Sequence, residues 1–365
     1  ISEANMGVLD PEKVNFVLHG HNPLLSEIIV RAAREMEDEA KAAGARGINL
    51  VGICCTGNEV LMRQGVPLVT SFASQELAIC TGVIDAMCVD VQCIMPSIST
   101  IAECYHTRII TTDENVKIPG AYHFDYQTST AMDNARAAIH LAMEAFKQRK
   151  ESNRQFHIPQ VKHKVVAGWS FEALTELMAT LNPENPIRVL NQALLSGELA
   201  GVALICGCNN LKTYQDNSHL IITKELLKNN VFVISTGCSA QAAAKMGLMD
   251  PANVEAYCGD GLKGFLNRLN QKANLDVGLP AVFHMGSCVD NSRAGDLLMA
   301  MANDLGVDTP KVPFVASAPE AMSGKAVAIG TWWVSLGIPT HVGTMPPVEG
   351  SDLIYSILTQ IASDV

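Results

Sequence analysis

At six points in the chain an apolar, β-branched run ends in histidine or cysteine, usually beside glycine. Val14–Leu18 runs into His19-Gly20-His21, Ile48–Ile53 into Cys54-Cys55-Thr56-Gly57, and Ala86–Val91 into Gln92-Cys93. Val202–Ile205 runs into Cys206-Gly207-Cys208, Val231–Ser235 into Thr236-Gly237-Cys238, and Ala281–His284 into Met285-Gly286-Ser287-Cys288. Thiolate and imidazole are metal ligands, and soft sulfur selects iron–sulfur clusters. Five thiolates and one imidazole exceed the four ligands that zinc takes. The surplus thiolate and the imidazole point to a cluster carrying a second, chemically different metal. Cys54 and Cys55 compete for one of the six places, and Cys206 and Cys208 for another; spacing leaves both choices open. Any single one of these positions reads equally well as a buried structural thiol, since free cysteine is among the most buried residue types. Six strand ends in succession do not. Cys80, Cys88, Cys104 and Cys258 fall inside predicted helices or strands and read as structural.

These side chains need a scaffold that brings strand ends together. Short apolar runs alternate with amphipathic helical patterns along the whole chain. Asn22-Pro23 opens the pattern Leu24, Leu25, Ile28, Ile29, Ala32, Ala33, Met36, and Gly44 is placed to close it. Further helices are predicted at Asn58–Gln64, Ala131–Lys147, Phe171–Leu181 and Pro186–Ser196, and further strands at Arg108–Thr111, Val165–Ala167 and Pro313–Ala316. Strand–helix alternation of this kind predicts α/β architecture, with parallel sheets covered on both faces. The polar stretch Gln148–Gln160 sets the expected boundary, giving two doubly wound, Rossmann-like domains at residues 1–148 and 149–365. In open parallel sheets ligands bind outside the carboxyl ends of the strands. Two such sheets facing each other would converge the six ends on one metal cluster. Cys238 and Cys288 also precede helices, whose N-termini favour thiolates. No Gly-x-Gly-x-x-Gly follows the first strand of either half, which argues against a nicotinamide site.

Composition narrows the class further. The 365 residues are 48% hydrophobic and only 17% charged, so the chain is globular and leaves part of its surface to pack against something else. A net charge of −11 argues against nucleic acid. The longest uncharged stretch, Ala326 to Val348, is broken by Pro339, His341, Pro346 and Pro347, so no membrane span is expected. Eleven cysteines, an odd number with no Cys-x-x-Cys pair, suit thiolates holding a metal better than disulfides or zinc ribbons. The start at Ile1 and the helical pattern Leu353–Ile361 just before the last residue suggest an internal piece of a longer protein.

The motifs Val17-Leu18-His19-Gly20-His21-Asn22-Pro23, Gly52-Ile53-Cys54-Cys55-Thr56-Gly57-Asn58-Glu59, Ile205-Cys206-Gly207-Cys208-Asn209-Asn210, Thr236-Gly237-Cys238-Ser239 and His284-Met285-Gly286-Ser287-Cys288-Val289-Asp290 closely resemble those of the nickel-containing carbon monoxide dehydrogenases of anaerobes. The chain is especially similar to the form that partners acetyl-CoA synthase, and the resemblance covers all 365 residues. It implies a nickel–iron–sulfur cluster in which His21 and Cys55 ligate a pendant iron, Cys93, Cys208 and Cys238 hold three cluster irons, and Cys288 binds nickel. It implies reversible oxidation of CO with water to CO2, two protons and two electrons. Nickel would bind the carbon and the pendant iron would bind hydroxide. Lys325 matches a lysine that stabilises the charge on bound CO2, and Ile329 a residue limiting room over the nickel. Taken alone, Lys325 reads as a surface lysine; the capping pattern Ser317-x-x-Glu320 and the apolar run to Trp333 favour burial. His19, His106, His123, His284 and His341 are candidate proton-relay members.

The resemblance also implies a cytoplasmic homodimer, a ferredoxin-like electron acceptor and an acetyl-CoA synthase partner. The family's N-terminal helical domain is absent from this sequence, and with it the cysteines of the 4Fe–4S relay clusters and an N-terminal histidine; the family's last segment is absent too. A hybrid-cluster-type oxidoreductase and a non-catalytic cluster-binding module are the competing readings. A metal carrier fits less well, because its ligands belong in one exposed tract and these are dispersed from His21 to Cys288.

Overall fold

In the computed structural model, residues 1–152, 154–344 and 349–364 are described, the side chains of 358 and 361–364 excepted. Pro346, Pro347 and Val348 lie outside the described residues. The chain divides into two compact units, Ile1–His163 and Lys164–Val365. The boundary expected at 148/149 falls inside the helix Ala131–Ser152, whose last turns stay packed on the first unit: Phe146 and Arg149 are buried, and Arg149 Nε pairs with Asp85 Oδ1 at 2.9 Å.

The first unit holds a five-stranded parallel sheet of β1 (Val14–Gly20), β2 (Ile48–Ile53), β3 (Ile84–Val89), β4 (Arg108–Thr111) and β5 (Tyr122–His123). Their spatial order is β2-β1-β3-β4-β5. Strands buried on both faces must be apolar throughout, and Val14, Phe16 and Leu18 of β1 meet that demand. They share one core with Ile29, Val30 and Ala33 of α1 (Leu24–Glu35) and Ala138, Ile139, Ala142 and Phe146 of the Ala131–Ser152 helix. The first helical pattern breaks at Met36 and resumes as a separate six-residue helix, Glu37–Ala42, instead of running unbroken to Gly44. Chain direction across the sheet reverses between β1 and β3, the switch point where doubly wound folds open a crevice.

The second unit repeats the plan. Its parallel strands are β6 (Gly201–Ile205), β7 (Val231–Thr236), β8 (Val282–Gly286), β9 (Phe314–Ala318) and β10 (Thr340–Val342), in the order β8-β7-β6-β9-β10. Here the switch point lies between β6 and β9. An aromatic cluster fills one side of this core: Phe283 sits 5.2 Å from Trp169 edge-on and 4.7 Å from Phe232.

Both sheets have managed edges. Each ends on one side in a strand of two or three residues, pinned by a histidine to a hydroxyl of the neighbouring strand: His123 Nδ1 to Thr111 Oγ1, and His341 Nδ1 to Ser317 Oγ, both 2.9 Å. On the other side irregular backbone takes up the outer groups. Gly52 N donates to Pro67 O (2.7 Å) beside β2, while Val282 N donates to Leu248 O and Trp169 N to His284 O beside β8, both 3.2 Å. Among the described residues no helix is long and apolar enough to cross a membrane.

Candidate metal centre

In the first unit the three candidate ligands follow three adjacent strands. His21 lies one residue past β1. Cys55 lies in the first turn of α2 (Cys54–Gln64), which starts directly at the strand end, four residues earlier than the sequence pattern suggested. So abrupt a turn requires a close approach of strand and helix: a Cβ on Gly52 would sit 2.5 Å from Gly57 Cα, so the two glycines let the backbones touch. Cys93 follows β3 and, like Gln92, has left-handed backbone, with φ of +57° and +64°. Two such residues in succession carry strain, which persists only where the surroundings hold it.

Two buried residues that sequence reasoning missed do the holding. Gln75 donates from Nε2 to Cys93 O (2.9 Å), and its Oε1 accepts from Met95 N (3.0 Å) and His19 Nε2 (2.9 Å). Asp90, just past β3, accepts from the backbone N–H groups of His21, Asn22 (2.9 Å) and Val91 (2.5 Å), and from Thr56 Oγ1 (2.7 Å). It therefore ties the His21 loop to the helix that carries Cys55. Burial pushes its carboxyl up to about 6, against the pull of those donors. The available signal was weak, since an acid after a buried strand is visible in the sequence but its partners are far away along the chain.

In the second unit Cys208, Cys238 and Cys288 again follow three adjacent strands, and all three are buried. Cys238 occupies the first turn of α3 (Gly237–Lys245), and its N–H donates to Gly207 O (3.2 Å). Cys288 opens a short turn before α4 (Asn291–Leu305), braced by Asn291 Nδ2 on Cys288 O (2.8 Å) and by a reciprocal Ser287–Asp290 cap. Burial raises the Cys208 thiol, and neighbouring Cys238 adds to the rise. Ser323 opposes it, through a side-chain and a backbone hydrogen bond to the sulfur. Cys206 is raised by burial and then by Cys288 and Cys208.

The Cys208 loop is anchored by a buried polar network. His219 Nε2 donates to Cys208 O (2.9 Å), which leaves Nδ1 to accept from Ser239 Oγ (2.9 Å). Burial lowers the pKa of this imidazole, in keeping with the neutral tautomer. Glu320 accepts from Asn209 Nδ2 (3.1 Å), Asp216 N (3.2 Å) and Ser218 N (3.1 Å). Asp216 in turn pairs with Lys245 Nζ at 2.6 Å. Glu320 is thus a clamp across the switch point, not the N3 partner of a capping box. Ser317 belongs to β9, and the helix that carries Lys325, α5 (Gly324–Ser335), is capped by Ser323 Oγ accepting from Ala326 N (3.3 Å).

Lys325 stands in the first turn of α5 with its Nζ shielded from solvent, and Ile329 lies one turn on, on the same face. The candidate relay histidines are spread out. His19 and His284 are fully buried and burial pushes both down to about 4. His106 binds Asp85 Oδ1 at 3.0 Å, while His123 also pairs with Asp125. Of the cysteines read as structural, Cys88 and Cys258 are buried and Cys80 and Cys104 are exposed; the eleven form no disulfide.

Among the described residues no three His, Cys, Asp or Glu side chains gather tightly enough to hold a single ion. A polynuclear cluster asks for the opposite, one protein ligand per metal with inorganic sulfide between. Buried thiols on separate strand ends, one already taking hydrogen bonds at its sulfur, fit that demand.

This layout, cysteine-bearing loops at the switch points of doubly wound sheets, is that of a soft-metal α/β protein. Comparison with known sequences gives the family: the model of the Prismane/CO dehydrogenase family matches residues 1–365, and the chain belongs to that family. It is 84% identical over 365 residues to the carbon monoxide dehydrogenase/acetyl-CoA synthase subunit beta of Moorella thermoacetica, covering all of this chain and 54% of that protein. It is 52% identical to carbon monoxide dehydrogenase 1 of Carboxydothermus hydrogenoformans, covering 57% of it. A solved structure of acetyl-CoA synthase/carbon monoxide dehydrogenase, with nickel-containing Fe4S4 clusters in its alpha subunits, superposes with a TM-score of 0.98 at 84% identity, over all of this chain and 54% of that one. Carbon monoxide dehydrogenase IV from Carboxydothermus hydrogenoformans gives 0.96 at 54% identity, over all of this chain and 57% of that one. The chain spans about half the length of the curated relatives it matches.

Proposed function

We propose that this chain is the catalytic core of a nickel-dependent carbon monoxide dehydrogenase, which converts CO and water reversibly to CO2, two protons and two electrons. The observation that carries the reading is the repeated placement of ligands: His21, Cys55 and Cys93 past three adjacent strands of one sheet, and Cys208, Cys238 and Cys288 past three of the other. The 84% identity to a carbon monoxide dehydrogenase/acetyl-CoA synthase subunit beta supports it. His21 and Cys55 would hold a pendant iron, Cys93, Cys208 and Cys238 the cluster irons, and Cys288 the nickel. When bound, such metals supply a Lewis acid and an activated water. The protein's own part is positional. Asp90 and Gln75 fix the His21 and Cys93 loops, and Lys325 presents a shielded ammonium to the negative charge that develops on the CO2 oxygen atoms. Ile329, one turn along the same helix face, would limit the room over a bound nickel.

The same reading gives the partners: a ferredoxin-like acceptor, a second copy of the chain and an acetyl-CoA synthase subunit, acting in the cytoplasm. Each proposed domain would carry one ligand set, His21, Cys55 and Cys93 in the first and Cys208, Cys238 and Cys288 in the second. Anaerobically prepared full-length protein should contain both nickel and iron and should oxidise CO with a low-potential dye. Zinc alone would refute the cluster; iron without nickel and without CO oxidation would favour a hybrid-cluster-type oxidoreductase.

A further inference from the structure

Ser323 connects two parts of the candidate site that the sequence keeps far apart. Its Oγ lies 3.2 Å from Cys208 Sγ. The same Oγ accepts from Ala326 N at 3.3 Å and so caps α5, the helix of Lys325 and Ile329. A hydroxyl has one proton to give. One of its two lone pairs takes the Ala326 N–H, and once Cys208 is a metal-bound thiolate it has no S–H to give, so the Ser323 hydroxyl must donate to the sulfur. The Ser323 backbone N–H is directed at the same sulfur. Cys208 follows β6 and Ser323 follows β9, so the contact spans the switch point itself. The Glu320 clamp holds both loops from behind, through Asn209 and the N–H groups of Asp216 and Ser218.

We propose that Ser323 is a positioning residue that donates a hydrogen bond to the Cys208 thiolate, raising the reduction potential of the cluster while locking the Lys325 helix to the ligand it faces. The inference rests on the cluster reading above. Hydrogen bonds to a ligating sulfur stabilise the more negative, reduced state, so their loss lowers the potential. Because one oxygen serves as both helix cap and sulfur donor, a shift of the Cys208 loop is transmitted to the first turn of α5.

The test uses anaerobic full-length protein, with metal content read first and midpoint potentials then taken by spectroscopically monitored redox titration. Ser323→Gly removes the hydroxyl but leaves the backbone donor, and glycine is a tolerated N-cap residue. Ser323→Thr keeps both donors and the cap. The expected result is a lower midpoint potential for Ser323→Gly at unchanged nickel and iron content, with Ser323→Thr restoring the wild-type value. An unchanged potential in Ser323→Gly overturns the proposal, as does a threonine variant shifted as far as the glycine one. If Ser323→Gly does not accumulate, Ser323→Ala replaces it; a lower melting temperature with an unmoved potential would then assign Ser323 to capping alone and overturn the proposal equally. Wild-type protein without nickel and iron would sink the cluster reading at the first measurement, and the role of Ser323 with it. A loaded wild type whose variants do not shift sinks Ser323 alone.

Discussion

Gly237 offers the sharpest test of the second ligand set. Its φ of +62° lies in the left-handed region, and a Cβ built there would stand 2.5 Å from Cys288 Sγ. Carbon and sulfur pack no closer than about 3.5 Å, so Gly237→Ala must drive the thiol back by about 1 Å. Metal sites tolerate roughly 0.2 Å in ligand distance, and designed ones about 0.5 Å, so this displacement exceeds what the site can absorb. The backbone adds its own cost, about 1–2 kcal/mol for an L-residue in left-handed conformation. Gly306 separates the two effects. It has a nearly equal φ of +67° at the end of α4, but a Cβ there meets nothing within 4 Å. Gly306→Ala should therefore lower stability by about 1 kcal/mol and leave metal content alone. Gly237→Ala should lower nickel several-fold more than iron, since only the Cys288 thiol is displaced. Elemental analysis of anaerobically purified full-length protein, with urea melts alongside, reads both quantities. Full nickel occupancy in Gly237→Ala, or equal loss of nickel and iron, would refute the assignment of Cys288 to nickel.

Three further outcomes are expected. Lys325→Ala should cut CO oxidation by two orders of magnitude or more while nickel and iron stay in place; electrostatic donors at developing charge are commonly worth about 100-fold or more, and unaltered turnover would remove Lys325 from the reaction. Gln75→Ala should free the Gln92–Cys93 turn, seen as faster amide exchange at residues 92–95 and reduced iron content, whereas wild-type protection there would show that Gln75 does not carry the strain. His284, whose pKa burial pushes down to about 4, refuses a proton that the unfolded chain accepts below 6.5. Stability of the metal-free protein should thus fall as pH drops from 6.5 toward 4, by about 3 kcal/mol from this group. His284→Gln should flatten that slope in urea titrations, and parallel slopes would sink the account.

The strands were legible because they are buried on both faces and must be β-branched and apolar, which leaves short, bounded runs. Their ends were legible because cysteine, histidine and glycine interrupt those runs. What holds the ends was not. Gln75, Asp90, His219 and Glu320 each act on residues tens of positions away, and nothing in their local sequence distinguishes them from surface polar residues. The Ser317-x-x-Glu320 pattern shows the danger of local rules. It has the right spacing for a helix cap, yet strand pairing claims the serine, and the glutamate is claimed by Asn209 Nδ2 and the N–H groups of Asp216 and Ser218. The boundary at 148/149 failed for a similar reason, because a long helix with one solvent face looks like a linker wherever its apolar face thins out.

The treatment of the sheet edges has a consequence for how copies or partners of this chain can associate. A two-residue strand at Tyr122–His123 and a three-residue strand at Thr340–Val342 offer an incoming strand almost no ladder, and backbone from Pro67, Trp169 and Leu248 already occupies groups on the opposite margins. Neither sheet is built to be continued across a subunit boundary. An association that met these margins would therefore rest on side-chain contacts, which can be altered one residue at a time. Destabilised variants should be correspondingly slow to polymerise by strand addition, since the native edges supply little template for it.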